Sequence, residues 1–293
     1  MAQSTAGTNL VNNWHANTAQ PTALVEVCWD GTTWTDETSR VVSIEIQHAL
    51  YDVTTGLPML GNTQPSQARL VMWNADDRYT PDNNSSPLHA HIHGGIWRVP
   101  IRIDLGYVDA TNGAERLRQF TGEIETASES NAGGQKQVTL NCVDNAIATL
   151  QFKHRTTMQL DKRPDEYIQT LLVTVGGISS QLDRGMNVIP FAWCDDENVW
   201  QECQRAAAAD GGWFYFGKDG VARFERMTHW LEASDHTASQ ATINASRMWS
   251  YSDEIVWRDV YSSVIVAYTP RRIGPETVIY ESDRPIYVPP LET

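Results

Sequence analysis

The sequence predicts a mainly β protein with a small α/β insert. Three observations carry that prediction. Roughly the first 150 residues alternate apolar and polar positions in short runs cut by turn signals. The apolar period becomes helical after residue 160. Alternation then returns after residue 245.

The elements follow in order. "LVEVCWDGTTWTDETSRVVSIEIQHAL" opens the β region, with Asp30-Gly31 as a turn between two runs. Val25, Val27 and Trp29 share one face of the first strand, and Val42, Ile44 and Ile46 one face of a later strand. "SQARLVMWN" (66–74) is another strand. "ADDRYTPDNNSSP" (75–87) is dense in Asp, Asn, Ser and Pro and reads as an ordered surface loop. Strand-like segments follow in 96–108, 116–130 and 136–150, the last two joined by the turn "NAGG", and within the last "DNAIATLQ" reads as a short closing helix. About six or more strands at this spacing fit a barrel or a sandwich.

Beyond residue 160, "RPDEYIQTLLVTVG" has Pro164 near a helix start, apolar Tyr167, Ile168, Leu171 and Leu172, and Gly176 at its end. "ENVWQECQRAAAADGG" is a second helix with Val199, Cys203 and Ala206 on one stripe. "WFYFGKDGVARFERM" is a hairpin turning at Lys218-Asp219-Gly220. The last segment returns to strands, with Val264, Val266 and Tyr268 on one of them, and stops at Thr293 without a closing element in view. The polar stretch 1–22 lacks the basic and apolar regions of a signal peptide and reads as an extended N-terminal arm.

Composition narrows the function. With 41% hydrophobic and 20% charged residues, the 293-residue chain reads as globular, long enough for two domains. A net charge of −14 argues against binding nucleic acid through phosphate contacts. The four scattered cysteines match neither a zinc ribbon nor a disulfide framework and are expected as buried free thiols.

His89, His91 and His93 alternate in "HAHIHGG", which could aim three imidazoles one way. No HExxH or paired histidine supplies a further ligand, so the triplet is only a candidate structural metal site, or an interface loop. Asp76-Asp77, Glu123/Glu125 and Asp195-Asp196-Glu197 are carboxylate groups of the kind glycosidases use, but Asp195–Glu197 also stand where a helix N-terminus favours negative charge. No GxSxG, Walker A or GxGxxG pattern occurs. No catalytic residue and no cofactor is assigned. Trp29, Trp34, Trp73 and Trp97 could line a sugar-binding face, though such tryptophans more often serve a core or an interface.

The run "QARLVMWNADDRYTPDNNSSPLHAHIHGGIWRVPIRIDL" resembles the tail hub proteins of long-tailed bacteriophages, also called baseplate hub or minor tail proteins. Asn74, Asp77, Arg78, Tyr79, Pro81, Ser86, Pro87 and Leu88 occupy the places of that family's pattern, flanked by Leu70, Asn84, Gly95, Val99 and Ile101. The likeness extends over about residues 24–270. The segment "HALYDVTTGLPMLGNTQPSQ" is longer than in the family, and the three histidines have no family place, so no contacts are carried onto either.

The resemblance implies tube-type β-barrel domains flanking a smaller α+β domain. The expected plan is an arm at 1–22, a first barrel at 23–154, a small α/β hub domain at 155–240 and a second tube-type domain, left open at its end, at 241–293. It implies a non-enzymatic homotrimer whose six barrels form a pseudo-hexameric ring at the virion's tail tip or baseplate. The implied partners are the tail tube protein, the distal tail protein, the tape measure protein and tail fibre or tip proteins. DNA would pass through the lumen without specific binding, so the wall is expected to be acidic or neutral. The arm is read as a clamp to a neighbour. The alternative reading is a carbohydrate-binding host-recognition tip protein.

Overall fold

The computed structural model describes residues 20–48, 63–89, 98–109, 113–132 and 134–232. Within them the chain is mainly β with few helices, as the sequence patterning requires. The first strands are β1 (Gln20–Val27), β2 (Thr35–Asp36), β3 (Val41–Gln47), β4 (Gln67–Trp73), β5 (Pro100–Asp109), β6 (Gly113–Ala132) and β7 (Gln135–Asp144). They form one seven-stranded sheet in the order β2-β1-β5-β6-β7-β4-β3. Every pairing in it is antiparallel.

The sheet cannot be flat. β2 and β3 are its two edges yet follow one another in the chain, joined by a single 3-10 turn at Thr38–Arg40. Seven flat strands would hold their edges about 29 Å apart, whereas the backbone from Asp36 to Val41 can span at most about 17 Å. The sheet therefore coils until its edges approach. β6 carries register irregularities opposite Ile103/Asp104 and between Ile124 and Thr126, and such bulges bend a long strand and raise its twist.

The concave face packs dry. Val25 pairs with Ile103 and Val27 with Ile101, while Leu70 pairs with Leu140 and Met72 with Val138. All eight are buried, together with Phe120 and Tyr79. Each such aliphatic side chain contributes about 1.5–3 kcal/mol relative to exposure.

β3 departs from the expected face. Val41, Ile44 and Ile46 pack on the core, while Val42 is 44% exposed. A bulge between Val41 and Ser43 inserts one residue, and one residue flips the face of everything before it.

The second core belongs to the small domain. Its elements are α1 (Ala146–Gln151), β8 (Lys153–Arg155), β9 (Gln159–Lys162), α2 (Pro164–Val175), β10 (Ser180–Leu182), β11 (Ile189–Ala192), β12 (Asp195–Asn198), α3 (Val199–Ala209), β13 (Trp213–Phe216) and β14 (Ala222–Glu225). Pro164 opens α2, where the Glu166 carboxylate accepts from the Arg163 N–H, and Gly176, at φ 79°, ends it. Asn198 caps α3 through its side chain, which accepts from the Gln201 N–H at 2.8 Å. The hairpin β13–β14 turns at the expected Lys218-Asp219-Gly220, and β10 adds to β14 in parallel. Tyr167, Ile168, Leu171, Cys203, Phe214 and Phe224 interlock beneath the helices.

Three expectations shift. Residues 20–22, placed in the arm, are the first residues of β1 and pair with β5; the preceding residues lie outside those described. The small domain's core already includes Ala146, and β8 pairs with β12, so packing changes hands near Asn145 and not at residue 155. Glu197, read as the start of the second helix, belongs instead to β12, which pairs with β8; Asn198 caps the helix, and Asp195–Glu197 directly precede its N-terminus, as expected. The second tube-type domain at 241–293 lies outside the described residues.

All four cysteines are free and buried, as expected. Among the described residues, no helix is long and apolar enough to cross a membrane.

The two cores meet at a polar clasp. The Asn145 side chain donates to Gly220 O at 2.8 Å, Thr121 Oγ1 donates to Lys218 O at 2.9 Å, and Lys218 Nζ donates to Gln119 Oε1 at 2.8 Å. Gln204 Nε2 donates to Thr63 O at 2.6 Å, and Thr63 Oγ1 reaches Phe214 O. The tip of the β13–β14 hairpin is thereby fixed to β6.

Candidate functional site

Residues 74–89 fold as a staircase. The N–H groups of Asp77, Thr80, Asn83, Ser86 and His89 donate in turn to the carbonyls of Asn74, Asp77, Thr80, Asn83 and Ser86. Each step is one turn, and a turn-forming polar residue recurs at every third position. Asp77 adopts φ 57°, a left-handed conformation that Asp tolerates better than most residues. Loops of this composition are expensive to bury, and this one answers nearly every step internally.

Asn74 anchors the top. It is fully buried, its Oδ1 accepts from the Tyr79 N–H at 2.8 Å, and its Nδ2 donates to Glu129 Oε1 at 2.7 Å. Lys136 Nζ meets Asp77 at 2.6 Å, and Lys136 O accepts from the Asn74 N–H at 3.0 Å. The motif is thus fastened to the end of β6 and the start of β7.

The centre is Glu37, which sequence reading did not single out. Its side chain is 2% exposed and accepts from Tyr79 OH at 2.7 Å, Arg78 Nη2 at 2.6 Å and Trp29 Nε1 at 2.9 Å. Burial, then the Glu37 carboxylate, raises the Tyr79 hydroxyl well above the phenol range, so it stays a donor. Hydrogen bonding to Glu37 strengthens the protonated form of Arg78. The Arg78 and Arg40 guanidinium carbons stand 5.8 and 5.9 Å from the Tyr79 ring centre. Arg40 also grips Asp76 with two bonds of 2.8 Å. A buried carboxylate of this kind requires both a cation and neutral donors, and Glu37 has them.

Of the family-pattern residues, Asn74, Asp77, Arg78 and Tyr79 meet in this network. Ser86 and Leu88 are buried at the staircase's lower end, where Ser86 Oγ accepts from the Leu88 N–H at 3.1 Å. Pro81 offers its carbonyl to His89 Nδ1 at 2.8 Å. A carbonyl only accepts, so Nδ1 carries the proton in that bond. Pro87 begins the helical turn that follows. His91 and His93 lie outside the described residues, so the histidine triplet is represented here by His89 alone. Among the described residues, no group of three His, Cys, Asp or Glu could hold a metal ion.

The other candidate groups separate. Asp76 and Asp77 are each spent on a cation, Arg40 and Lys136. Glu123 faces Arg98 at 3.6 Å, and burial raises its carboxyl. Glu197 does come near a second carboxylate, but it is Glu202 of α3, with Arg205 reaching both. Trp29 is buried against Tyr79, with ring centres 5.8 Å apart. Trp34 carries the Arg102 guanidinium 4.2 Å from its ring centre, Trp73 is 38% exposed, and Trp97 lies outside the described residues. Burial therefore removes Trp29 from a sugar-binding face.

Glu37 left no local trace, since Arg78 and Tyr79 stand 41 and 42 residues away and Trp29 eight residues before it. The three-residue period of the staircase was visible and would have marked a built loop.

No family model and no curated protein matches the chain. Its likenesses are to solved structures. It is similar to the 43 kDa tail protein of prophage MuSo2 from Shewanella oneidensis, at 10% identity and TM-score 0.48, covering 71% of this chain and 54% of that one. It is similar to a tail protein from Neisseria meningitidis, at 14% identity and TM-score 0.41, covering 69% of this chain and 50% of that one. It is also similar to a chain of the Francisella PdpA-VgrG complex, at 12% identity and TM-score 0.44, covering 71% of this chain and 29% of that one. The chain therefore spans about half the length, or less, of the structures it resembles.

Proposed function

We propose that the chain is a non-enzymatic structural protein of a phage-type tail, acting as a hub at the distal end. In this reading three copies form a pseudo-hexameric ring that joins the tail tube to the tip or baseplate and leaves a channel for DNA. Its neighbours would be the tail tube, distal tail and tape measure proteins and the fibre or tip proteins.

The observation that carries the reading is where the family-pattern residues fall. Asn74, Asp77, Arg78 and Tyr79 each hold a hydrogen bond or ion pair, Asp77 with Lys136 at the rim of an open cleft. They lock a staircase loop onto the point where the coiled sheet brings its two edges together, through Glu37. A ring wall needs this property, because a barrel that opens at its edges would pair with whatever strand it met. The acid excess, −14 overall, suits a channel wall that must not hold a polyanion.

Mass in solution and negative-stain shape test the proposal. A ring of three chains is the expected result. A monomer at all concentrations, with turnover of a glycan or a metal-dependent substrate, would replace it with a different function.

A further inference from the structure

The small domain carries a surface that the Glu37 network does not use. β9 and β11 form a two-stranded ribbon that pairs with no other described strand. Phe191 lies opposite Leu160, and Ile189 opposite Lys162, so these side chains share one face, with Lys162 at the end away from Trp193. Leu160 is 52% exposed and Trp193 48%, and Met158, two positions before Leu160, is exposed as well. Clustered apolar exposure of this kind marks a surface that something covers.

The ribbon is also one wall of a cleft of about 330 Å³. Ile189, Phe191 and Trp193 line that side, and Glu202, Arg205 and Ala206 of α3 line the other. Glu202 is buried and accepts from Tyr167 OH at 3.4 Å. Glu197 lines the cleft too, with its Oε2 shut off from solvent and ion-paired to Arg205. Asp195 stands among the lining residues, with Arg155 on its exposed side at 3.3 Å. The cleft thus sets three carboxylates, Asp195, Glu197 and Glu202, and three aromatic rings, Tyr167, Phe191 and Trp193, against one lining guanidinium, that of Arg205.

We propose that this cleft receives a lysine or arginine side chain of a partner protein, presented on a segment with apolar flanking residues. The aliphatic stem would lie along Ile189 and Phe191, the cationic head would meet the Trp193 ring and the Glu197–Glu202 pair, and the flanking residues would cover Leu160. Charge selects this occupant: three carboxylates line the cleft against the one guanidinium of Arg205, so a cationic side chain complements it. The inference stands whether or not the chain belongs to a tail.

Calorimetric titration of the full chain with acetyl-Ala-Leu-Arg-Leu-Ala-amide and with its glutamate counterpart tests it. The arginine peptide is expected to bind at least about tenfold more tightly than the glutamate peptide, and more weakly as salt rises. Trp193→Ser and Glu202→Gln are each expected to weaken it by about tenfold. Should Glu202→Gln fail to fold, Glu197→Gln reads the same contact from a more exposed position. Equal binding of the two peptides, binding of neither, or binding unchanged in Trp193→Ser overturns the proposal. Self-association in sedimentation that Trp193→Ser abolishes overturns it in favour of a second copy.

Discussion

Tyr79 and Glu37 meet at 2.7 Å across 42 residues of chain, with both side chains withdrawn from solvent. That bond joins the staircase loop to the segment between the two edges of the coiled sheet. Its energetics follow from burial. Tyr79→Phe removes one donor and is expected to cost about 1–2 kcal/mol. Glu37→Ala strands Arg78, Tyr79 OH and Trp29 Nε1 together and is expected to cost about 3 kcal/mol or more, discounted because Arg78 is one-third exposed. Urea unfolding of the two single variants and the double variant gives the coupling. Additive costs would show that the two groups act separately.

The β3 bulge gives a second test. Val42→Thr is expected to change stability by no more than about 0.5 kcal/mol, since the side chain faces out. Ile44→Thr, two positions on, places a hydroxyl against the core and is expected to cost about 1–3 kcal/mol. Uninterrupted alternation would make the two costs equal, and thermal unfolding separates the cases.

Asp144 supplies a pH dependence. Its buried carboxylate accepts from the Ser66 and Ala146 N–H groups at 2.7 and 3.0 Å, yet burial pushes its pKa up to about 7. The folded value lies above the unfolded one, near 3.9. The folded state therefore holds more protons between those values, and stability is full below about pH 4 and falls as pH rises through about 7. The loss is a few kcal/mol, at about 1.4 kcal/mol per pH unit. Glu123, raised by burial, acts in the same direction, and His48, lowered by burial, acts in the opposite one. The difference between wild type and Asp144→Asn isolates Asp144. Unfolding midpoints from pH 4.5 to 8 should decline more steeply in wild type, and parallel profiles would refute the assignment.

Gly220 tests the clasp between the two cores. A Cβ there would stand 2.6 Å from Asn145 Nδ2 and 2.9 Å from Thr121 Cγ2, at φ 78°. Gly31 has nearly the same backbone, φ 74°, with nothing within 4 Å. Gly31→Ala is expected to cost about 1 kcal/mol for conformation alone. Gly220→Ala is expected to cost about 1–3 kcal/mol more, for displacing the contact. Hydrogen exchange at Thr121 and Asn145 should rise in the second variant only.

Most strands were legible because one face of each is buried, and burial with a period of two writes itself into sequence. β4 reads Ala68, Leu70, Met72 inward and Gln67, Arg69, Trp73 outward, as its residues predict. α2 and α3 were legible from their ends, Pro164 and Gly176 for one and the Gly211-Gly212 stop for the other. The bulge at Val41–Ser43 was not, because one inserted residue leaves composition unchanged and moves only the face. Glu37 was not, because two of its three donors, Arg78 and Tyr79, come 41 and 42 residues later in the chain. The family pattern gave the site's outer residues, Asn74 to Leu88, and the structure supplied the residue they converge on.

The symmetry of the particle that contains this chain tests the central claim most directly. Electron cryomicroscopy of the intact particle is expected to place three copies in a ring at the distal end of a tail tube, with six barrels around a channel whose wall is acidic or neutral. Six copies, a position away from the tail's end, or a channel lined by lysine and arginine would contradict it.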